Sequence, residues 1–323
     1  MKLIEEGKLN IDDPVQKYIP TFTLKDQQAA SQITIKHLLS HTSGLSPYIG
    51  LLMADKTSND LNAIKSNLNN LINVNLTASP GEKYQYSSAN YLILGALIEE
   101  VTNQPYSQFM EEHIFLPLQM KNAAADLETA REKGYFAGYQ SWFGLPRKSE
   151  VVYDNGGAAY GYITASAKDM AQLINFFSEQ GDSILSKEYK ELYLSPLFQT
   201  KEEQYYGFGL RITDSVSQGK IIWHSGSTPD SHTEFFFLPE TGWGGVILTN
   251  KNHILEEEAL PNLKNGIIAI LNGEKPADVQ SIFPTVQLVL CGILCLLFGL
   301  LFYLIVKLVR KNIRKRNGIR SIK

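Results

Sequence analysis

"YYGFGLRITDSVSQGKIIWHSGSTPDSHTEFFFLPETGWGGVILTN", Tyr205–Asn250, is where the chain changes its period. Four runs within it, YYGFGLRIT (205–213), KIIWHSG (220–226), SHTEFFFLP (231–239) and WGGVILTN (243–250), are rich in β-branched and aromatic residues. Turn residues separate them, so they read as four strands. Before them the pattern is helical. TIKHLLSH is a short amphipathic helix with Thr34 as its cap, SSANYLILGALIEEVTN is a longer one, and PYSQFMEEHIFLPL follows it. A further helix is expected to start near Ser166, and a last one covers 256–271. At the start of the chain, Met1, Leu3 and Ile4 form the apolar side of a helical turn that Gly7 ends. Asp12 or Asp13 then caps a second helix with Pro14 in its first turn. Helices beside an antiparallel sheet, with a closing helix, make an α+β arrangement.

The average composition, 44% hydrophobic and 20% charged, is that of a globular protein. It hides a break near the C-terminus. VQLVLCGILCLLFGLLFYLIV, residues 286–306, holds 21 residues without a charge. At about 1.5 Å per residue that run spans roughly 30 Å, the thickness of a bilayer's hydrocarbon core. It reads as a transmembrane helix. The following 17 residues, 307–323, carry eight Lys or Arg and no acid, while the rest of the chain has a net charge of −11. The positive-inside rule then places this tail in the cytoplasm and the main domain outside, a single-pass membrane protein. The tail's expected partner is anionic lipid headgroups, and with no other basic cluster nucleic acid is disfavoured. The expected division is a domain over 1–272, a linker over 273–285, the span 286–306 and the basic tail. Both cysteines, Cys291 and Cys295, lie in the span, so the outer domain holds no disulfide. An exported domain calls for a signal sequence. The first twenty residues, with Glu5, Glu6, Asp12 and Asp13, do not form one, so the chain is expected to be the C-terminal part of a longer protein.

No HExxH pair or Cys/His cluster supports a metal site, no Gly-rich phosphate loop is present, and no cofactor is expected. Three stretches remain: HTSGL at 41–45, YSSANY at 86–91 and WHSGS at 223–227. On a strand, His224 and Ser225 point to opposite faces. Gly226 lets a substrate approach the backbone, and the N–H of Ser227 can point at a developing oxyanion. The plainer reading is a strand ending in a glycine turn with a structural histidine. Tyr86, just ahead of a helix, is a general base if a cation lowers its pKa from about 10, and otherwise a half-buried core tyrosine.

Taken together, LIEEGKLNIDDPVQKYIP, ITIKHLLSHTSGL, YQYSSANYLILGALIEEVTNQPY, GYITASAKDMAQL and IIWHSGSTPD resemble, in order and context, the serine β-lactamase-related hydrolases. These comprise class C-like β-lactamases, D-Ala-D-Ala peptidases and related esterases. The resemblance covers residues 1 to about 270. It implies a helical region packed on an α/β sandwich, with a cleft between them that holds an SxxK nucleophile, a Y-x-N motif and a K-T-G or H-x-G strand. Carried over residue by residue, it gives Tyr86 the base or proton-relay role, His224 the place of the basic residue that polarises substrate, and Ser227 N–H half of the oxyanion hole. Ser225 and Gly226 line the same strand, and His41 is read as structural. Ser88 replaces the amide of Y-x-N, which removes an NH₂ donor pair. Asn90, two residues on, would face elsewhere on the helix.

SxxK is the larger departure. In the family its helix runs directly into the segment with which this chain begins, so the nucleophile and its lysine are expected before Met1, together with the edge strands that precede them. SQGK, Ser217–Lys220, is the one SxxK spacing here, but Gly219 marks a hairpin turn there. The resemblance implies a membrane-anchored serine hydrolase acting on cell-wall peptides, β-lactams or esters, with the 323-residue chain itself inactive. The alternatives are a non-catalytic module that binds cell-wall fragments and a gene fragment without function.

Overall fold

A computed structural model describes residues 1–320, apart from 55, 57, 151–152, 179–183, 216–218, 254–258 and 279–284, with side chains to residue 313. The helical part begins with α1 (Lys2–Glu5), α2 (Gln27–Ser31), α3 (Ile35–Leu39), α4 (Pro47–Met53), α5 (Ala63–Asn67) and α6 (Ser88–Thr102). It continues with α7 (Tyr106–Met110) and α8 (Leu127–Glu132). A hairpin of β1 (Tyr139–Trp142) and β2 (Leu145–Lys148) precedes α9 (Ala167–Phe177) and α10 (Lys187–Tyr193). Then come β3 (Phe198–Lys201), β4 (Gln204–Gly207), β5 (Leu210–Ser215), β6 (Gly219–Thr228), β7 (Ser231–Leu238) and β8 (Trp243–Thr249). The short β9 (Lys251–Asn252), α11 (Ala259–Leu271) and α12 (Thr285–Arg320) complete the chain. Strands β3 to β8 form one antiparallel meander in sequence order, and β2-β1-β9 form a small second sheet.

Local chemistry accounts for most element starts. Thr34 and Ser166 each close a capping box at the head of α3 and α9, so two backbone donors at each start are satisfied by side chains. Gly7 ends α1 at φ 70°. Other stretches depart from the sequence reading. YYGFGLRIT is two strands, because Phe208 and Gly209 both adopt left-handed φ and turn the chain in a two-residue hairpin that pairs Gly207 with Leu210. The helix expected after Asp12 and Asp13 is only a 3₁₀ turn, Val15–Lys17, with extended Pro14 before it. Neither aspartate caps it; the Asp13 carboxylate accepts from Lys17 and Tyr18 instead. PYSQFMEEHIFLPL is α7 followed by one π-helical turn, Glu111–Phe115. The closing helix is described from Ala259, the rest of its expected start lying outside the described residues. Strands β1, β2, β3 and β9 are four residues or fewer, too short for an alternating pattern to announce them.

Helix α6 is the axis of the helical layer, with Leu92, Ile93, Ala96 and Leu97 fully buried. Gly95 permits its close packing, since a Cβ there would stand 2.6 Å from the Ala159 methyl. Ile212, Ile222, Phe235 and Phe237 of the main sheet join this core with Phe176 and Phe177 of α9. Ile221, Phe236 and Leu238 pack instead with Ile268 of α11. The molecule is therefore layered as helices, sheet and helix, the β-lactamase/transpeptidase-like α+β fold. Residues Thr285–Ile313 of α12 are long and apolar enough to cross a membrane, and the most apolar 18 residues of that stretch are not buried in the protein.

A buried ion cluster sits on the α11 side of the sheet. Lys264 of α11 lies 2.7 Å from Glu234 Oε2, His232 Nε2 is 2.8 Å from Oε1, and Ser225 Oγ donates to Oε2. The Lys264 ammonium also stands 3.8 Å from the centre of the Trp223 ring. Burial raises the Glu234 pKa, but its bonds to His232, Lys264 and Ser225 outweigh that and hold it below the usual carboxylate value. Removing one partner strands the other charge, so Lys264→Met should cost about 3–5 kcal/mol in denaturant unfolding of the detergent-solubilised chain. The double variant Lys264→Met/Glu234→Leu should lose much less than the two single losses added.

Candidate active site

The site grows around His41. This residue ends the turn after α3 in a left-handed conformation, φ 55°, and its buried ring points inward. Its Nδ1 accepts from the backbone N–H of Ser87 at 3.2 Å and from Asn90 Nδ2 at 2.9 Å. Its carbonyl accepts from Gln85 N at 2.8 Å. YQYSS is thereby sewn to HTSGL, which fixes Tyr86 just ahead of α6. Gly44 is required in the same loop: φ is 87°, and a Cβ would fall 2.2 Å from the Ala78 carbonyl oxygen. Asn90 faces this interior, accepting from Ser43 Oγ, whereas Ser88 faces the cleft beside Tyr86 and His224.

Because Nδ1 of His41 accepts a backbone N–H, its proton must sit on Nε2. From there it donates to Tyr206 Oη at 3.2 Å, and Tyr206 in turn donates to His224 Nε2 at 3.3 Å. The network thus assigns His224 the Nδ1–H tautomer. Two neutral histidines joined by a tyrosine run from the base of the helical layer to strand β6. Burial, with the charge His224 would carry if protonated and the Arg211 guanidinium, lowers the His41 pKa to about 3. Burial and the Arg211 guanidinium lower that of His224 to about 4. The Tyr86 ring lies over His41, 4.2 Å between centroids, and 6.1 Å from His224. Burial raises its pKa above 10 while Arg211 pulls the other way, so Tyr86 carries its proton at neutral pH.

Arg211 and Tyr206 are the site members that the sequence reading missed. The guanidinium stands 5.7 Å from the Tyr86 ring, 5.8 Å from Tyr206 and 5.4 Å from Trp223. Their signal was the hairpin at Phe208–Gly209: once β4 and β5 are paired about it, Arg211 falls opposite Tyr206 and Trp223. His41, read as structural, is the hub that connects Tyr86 to His224.

At the cleft end of β6 the strand-face prediction separates the residues. His224 turns to Tyr206, while Ser225 donates its hydroxyl to Glu234, leaving its backbone to the cleft. Gly226 has room for a side chain: a Cβ there would meet Thr233 Cβ at an ordinary 3.7 Å, so packing does not demand glycine. Ser227 is exposed, and its hydroxyl accepts from Asn252 Nδ2 at 2.9 Å. Ser217 lies outside the described residues. Among the described residues no group of three His, Cys, Asp or Glu side chains is placed to hold a metal.

Beside Tyr86 and His224 opens a cavity of about 1530 Å³, lined by half-buried apolar residues including Leu94, Ile98, Met110, Ile114, Met170 and Leu173. Small-molecule sites usually occupy about 300–1,000 Å³, so this one is large enough for a polypeptide segment.

Both site histidines bind protons more tightly in the unfolded chain, so unfolding takes up protons as pH falls below about 6.5. Their contribution to stability should be level above pH 7 and fall between about 6.5 and 4, each of the two histidines adding up to about 1.4 kcal/mol per pH unit. His37, also lowered by burial, adds to the same fall. Unfolding titrations of His224→Gln should show a shallower slope by one histidine's share.

Comparison with known proteins gives the chain's family. The chain is 29% identical over 287 residues to protein flp of Staphylococcus aureus strain MW2, covering 87% of this chain and 55% of that protein. It is 29% identical over 271 residues to penicillin-binding protein 4* of Bacillus subtilis strain 168, covering 79% of this chain and 58% of that one. The chain thus spans little more than half the length of these curated relatives. Among solved structures, the octameric penicillin-binding protein homologue from Pyrococcus abyssi superposes with a TM-score of 0.68 at 25% identity, covering 85% of this chain and 63% of that one. A β-lactamase/D-alanine carboxypeptidase from Yersinia pestis superposes at 0.64 with 20% identity, covering 84% and 79%, a likeness of fold. Residues 1–267 match the Beta-lactamase family, and the chain belongs to it.

Proposed function

We propose that this chain is the membrane-anchored part of a serine hydrolase that cleaves amide or ester bonds through an acyl-enzyme. Cell-wall peptides, β-lactams and esters are the substrate classes. The observation that carries the reading is the meeting of Tyr86, His224 and Arg211 at the mouth of the 1530 Å³ apolar cavity. In this reading a helix bearing Ser-x-x-Lys, supplied from outside these 323 residues, seats its apolar face in that cavity. As its serine Oγ attacks the acyl carbon, the hydroxyl proton passes to the phenolate of Tyr86 and the negative charge to the carbonyl oxygen, held by the N–H of Ser227. Tyr86 hands a proton to the departing amine or alcohol, and water then releases the acid and restores the serine. A lysine brought beside Tyr86 adds to the pull of Arg211 and lowers the phenol towards the base role. His224, neutral at pH 7, donates a hydrogen bond to substrate from Nδ1 rather than acting as a fixed cation. Helix α12 anchors the protein with its basic tail in the cytoplasm and on anionic headgroups, the catalytic domain lying outside.

Ser88 favours a second reading, a module that holds cell-wall fragments without cleaving them, since its hydroxyl offers less to an amide than the family's asparagine. A fluorescent penicillin separates the two. The purified 323-residue chain should stay unlabelled, and covalent label on Ser217 or any other residue would overturn the external nucleophile. In membranes of the cells that make the protein, a labelled band is expected, weakened about 10²–10⁴-fold by Tyr86→Phe. Binding without a covalent band would leave the second reading.

A further inference from the structure

The β1–β2 hairpin has no part in the chemistry above, yet it presents an exposed apolar turn. Phe143 and Gly144 form its two-residue turn, both with positive φ. Trp142, Phe143 and Leu145 are 50%, 43% and 64% exposed. Arg147 and Lys148 follow them on β2, both exposed. Nothing in core packing requires three large apolar side chains at a solvent-facing tip.

The position of the tip identifies what covers it. The Phe143 N–H donates to Gln287 Oε1, in the first turn of α12. His253 bridges the same place, with Nδ1 3.4 Å from Gln287 Nε2 and its ring 5.3 Å from that of Trp142. Gln287 is 6% exposed, whereas the apolar residues that follow it along α12 are exposed. The apolar run read as the span begins at Val286, so Gln287 stands at the boundary of the hydrocarbon if α12 spans the bilayer. Whatever touches Gln287 lies at the same depth. Tryptophan favours that depth, and Arg147 and Lys148 are then level with the phosphates of the headgroups.

We infer that the Trp142–Leu145 hairpin tip is a second membrane contact, inserted into the headgroup and upper acyl region of the outer leaflet beside α12. The inference rests on the membrane-anchored reading of α12. Its consequence for the site follows from β9, which pairs with β1 and whose Asn252 donates to Ser227 Oγ and Thr228 O. The hairpin, β9 and the cleft end of β6 are thereby one hydrogen-bonded unit, so the contact orients the cleft relative to the membrane rather than leaving it to swing on the linker.

The three tryptophans, Trp142, Trp223 and Trp243, all lie outside α12, which makes the contact readable. The full chain is reconstituted in phosphatidylcholine–phosphatidylglycerol vesicles whose acyl chains are brominated at carbons 6 and 7. Tryptophan emission should be quenched by the bromolipid. Trp142→Phe should remove most of that quenching, and Trp243→Phe should leave it in place. Unchanged quenching in Trp142→Phe, or emission from Trp142 that aqueous iodide quenches freely, would overturn the contact. An alkaline carbonate wash of the same vesicles separates the two claims. Loss of the chain from the vesicles sinks the anchor and the hairpin together, whereas retention with no Trp142 quenching sinks the hairpin alone.

Discussion

Everything at the cleft depends on one neutral, buried imidazole. His41 accepts two N–H groups on Nδ1 and donates on Nε2, and those three bonds join the HTSGL loop, the head of α6 and strand β4. A left-handed conformation costs a non-glycine residue about 1–2 kcal/mol. Three buried hydrogen bonds at about 0.5–1.5 kcal/mol each offset that cost. The balance holds only while the ring is uncharged. An imidazolium has no acceptor, so protonation would set Nδ1–H against the Ser87 N–H and Asn90 amide at once. Burial and the neighbouring cation Arg211 both act against that, which is why the pKa falls as far as about 3.

The sheet supports this arrangement from behind. Ser225 and Trp223 flank His224 on β6, and both turn to the cluster around Lys264 and Glu234. Alternation along the strand thus gives one residue to the cleft and its two neighbours to the support. A slip of one position would send His224 into the ion cluster and Ser225 into the cleft. The seven residue pairs between β6 and β7, Ile222↔Phe237 to Thr228↔Ser231, resist such a slip, as do the apolar side chains that β7 places on both faces.

How much of this was legible follows from which interactions are local. Thr34, Ser166 and Gly7 act within three or four residues, and their caps and stops are where the sequence put them. The strand content after Tyr205, the helix at Ser88 and the apolar C-terminal helix follow from period and length, and the α+β fold from their order. Tyr206 and Arg211 were not legible, because their roles arise only when β4, β5 and β6 are laid side by side. The error that hid them was itself local: Phe208 in left-handed φ is uncommon for a bulky residue, so YYGFGLRIT looked continuous. Asn90 was placed correctly as facing away from the cleft, but its partner His41 lies 49 residues away and no spacing could announce it.

The direction of the Tyr86 and His224 shifts bears on how such a site can work. Burial drives both groups to their neutral forms, and Arg211 alone does not bring the Tyr86 hydroxyl down to the reach of neutral pH. A neutral phenol is no base for a serine hydroxyl, and the Nε2 of His224, its basicity lowered by burial, already accepts from Tyr206. On the proposed reading, base strength comes from positive charge that lowers the phenol, and the apolar cavity next to Tyr86 is the place for the helix that carries it. The described residues hold Tyr86, His224 and Arg211 in preset positions, and on the proposed reading the reactive groups come with the element that fills the cavity.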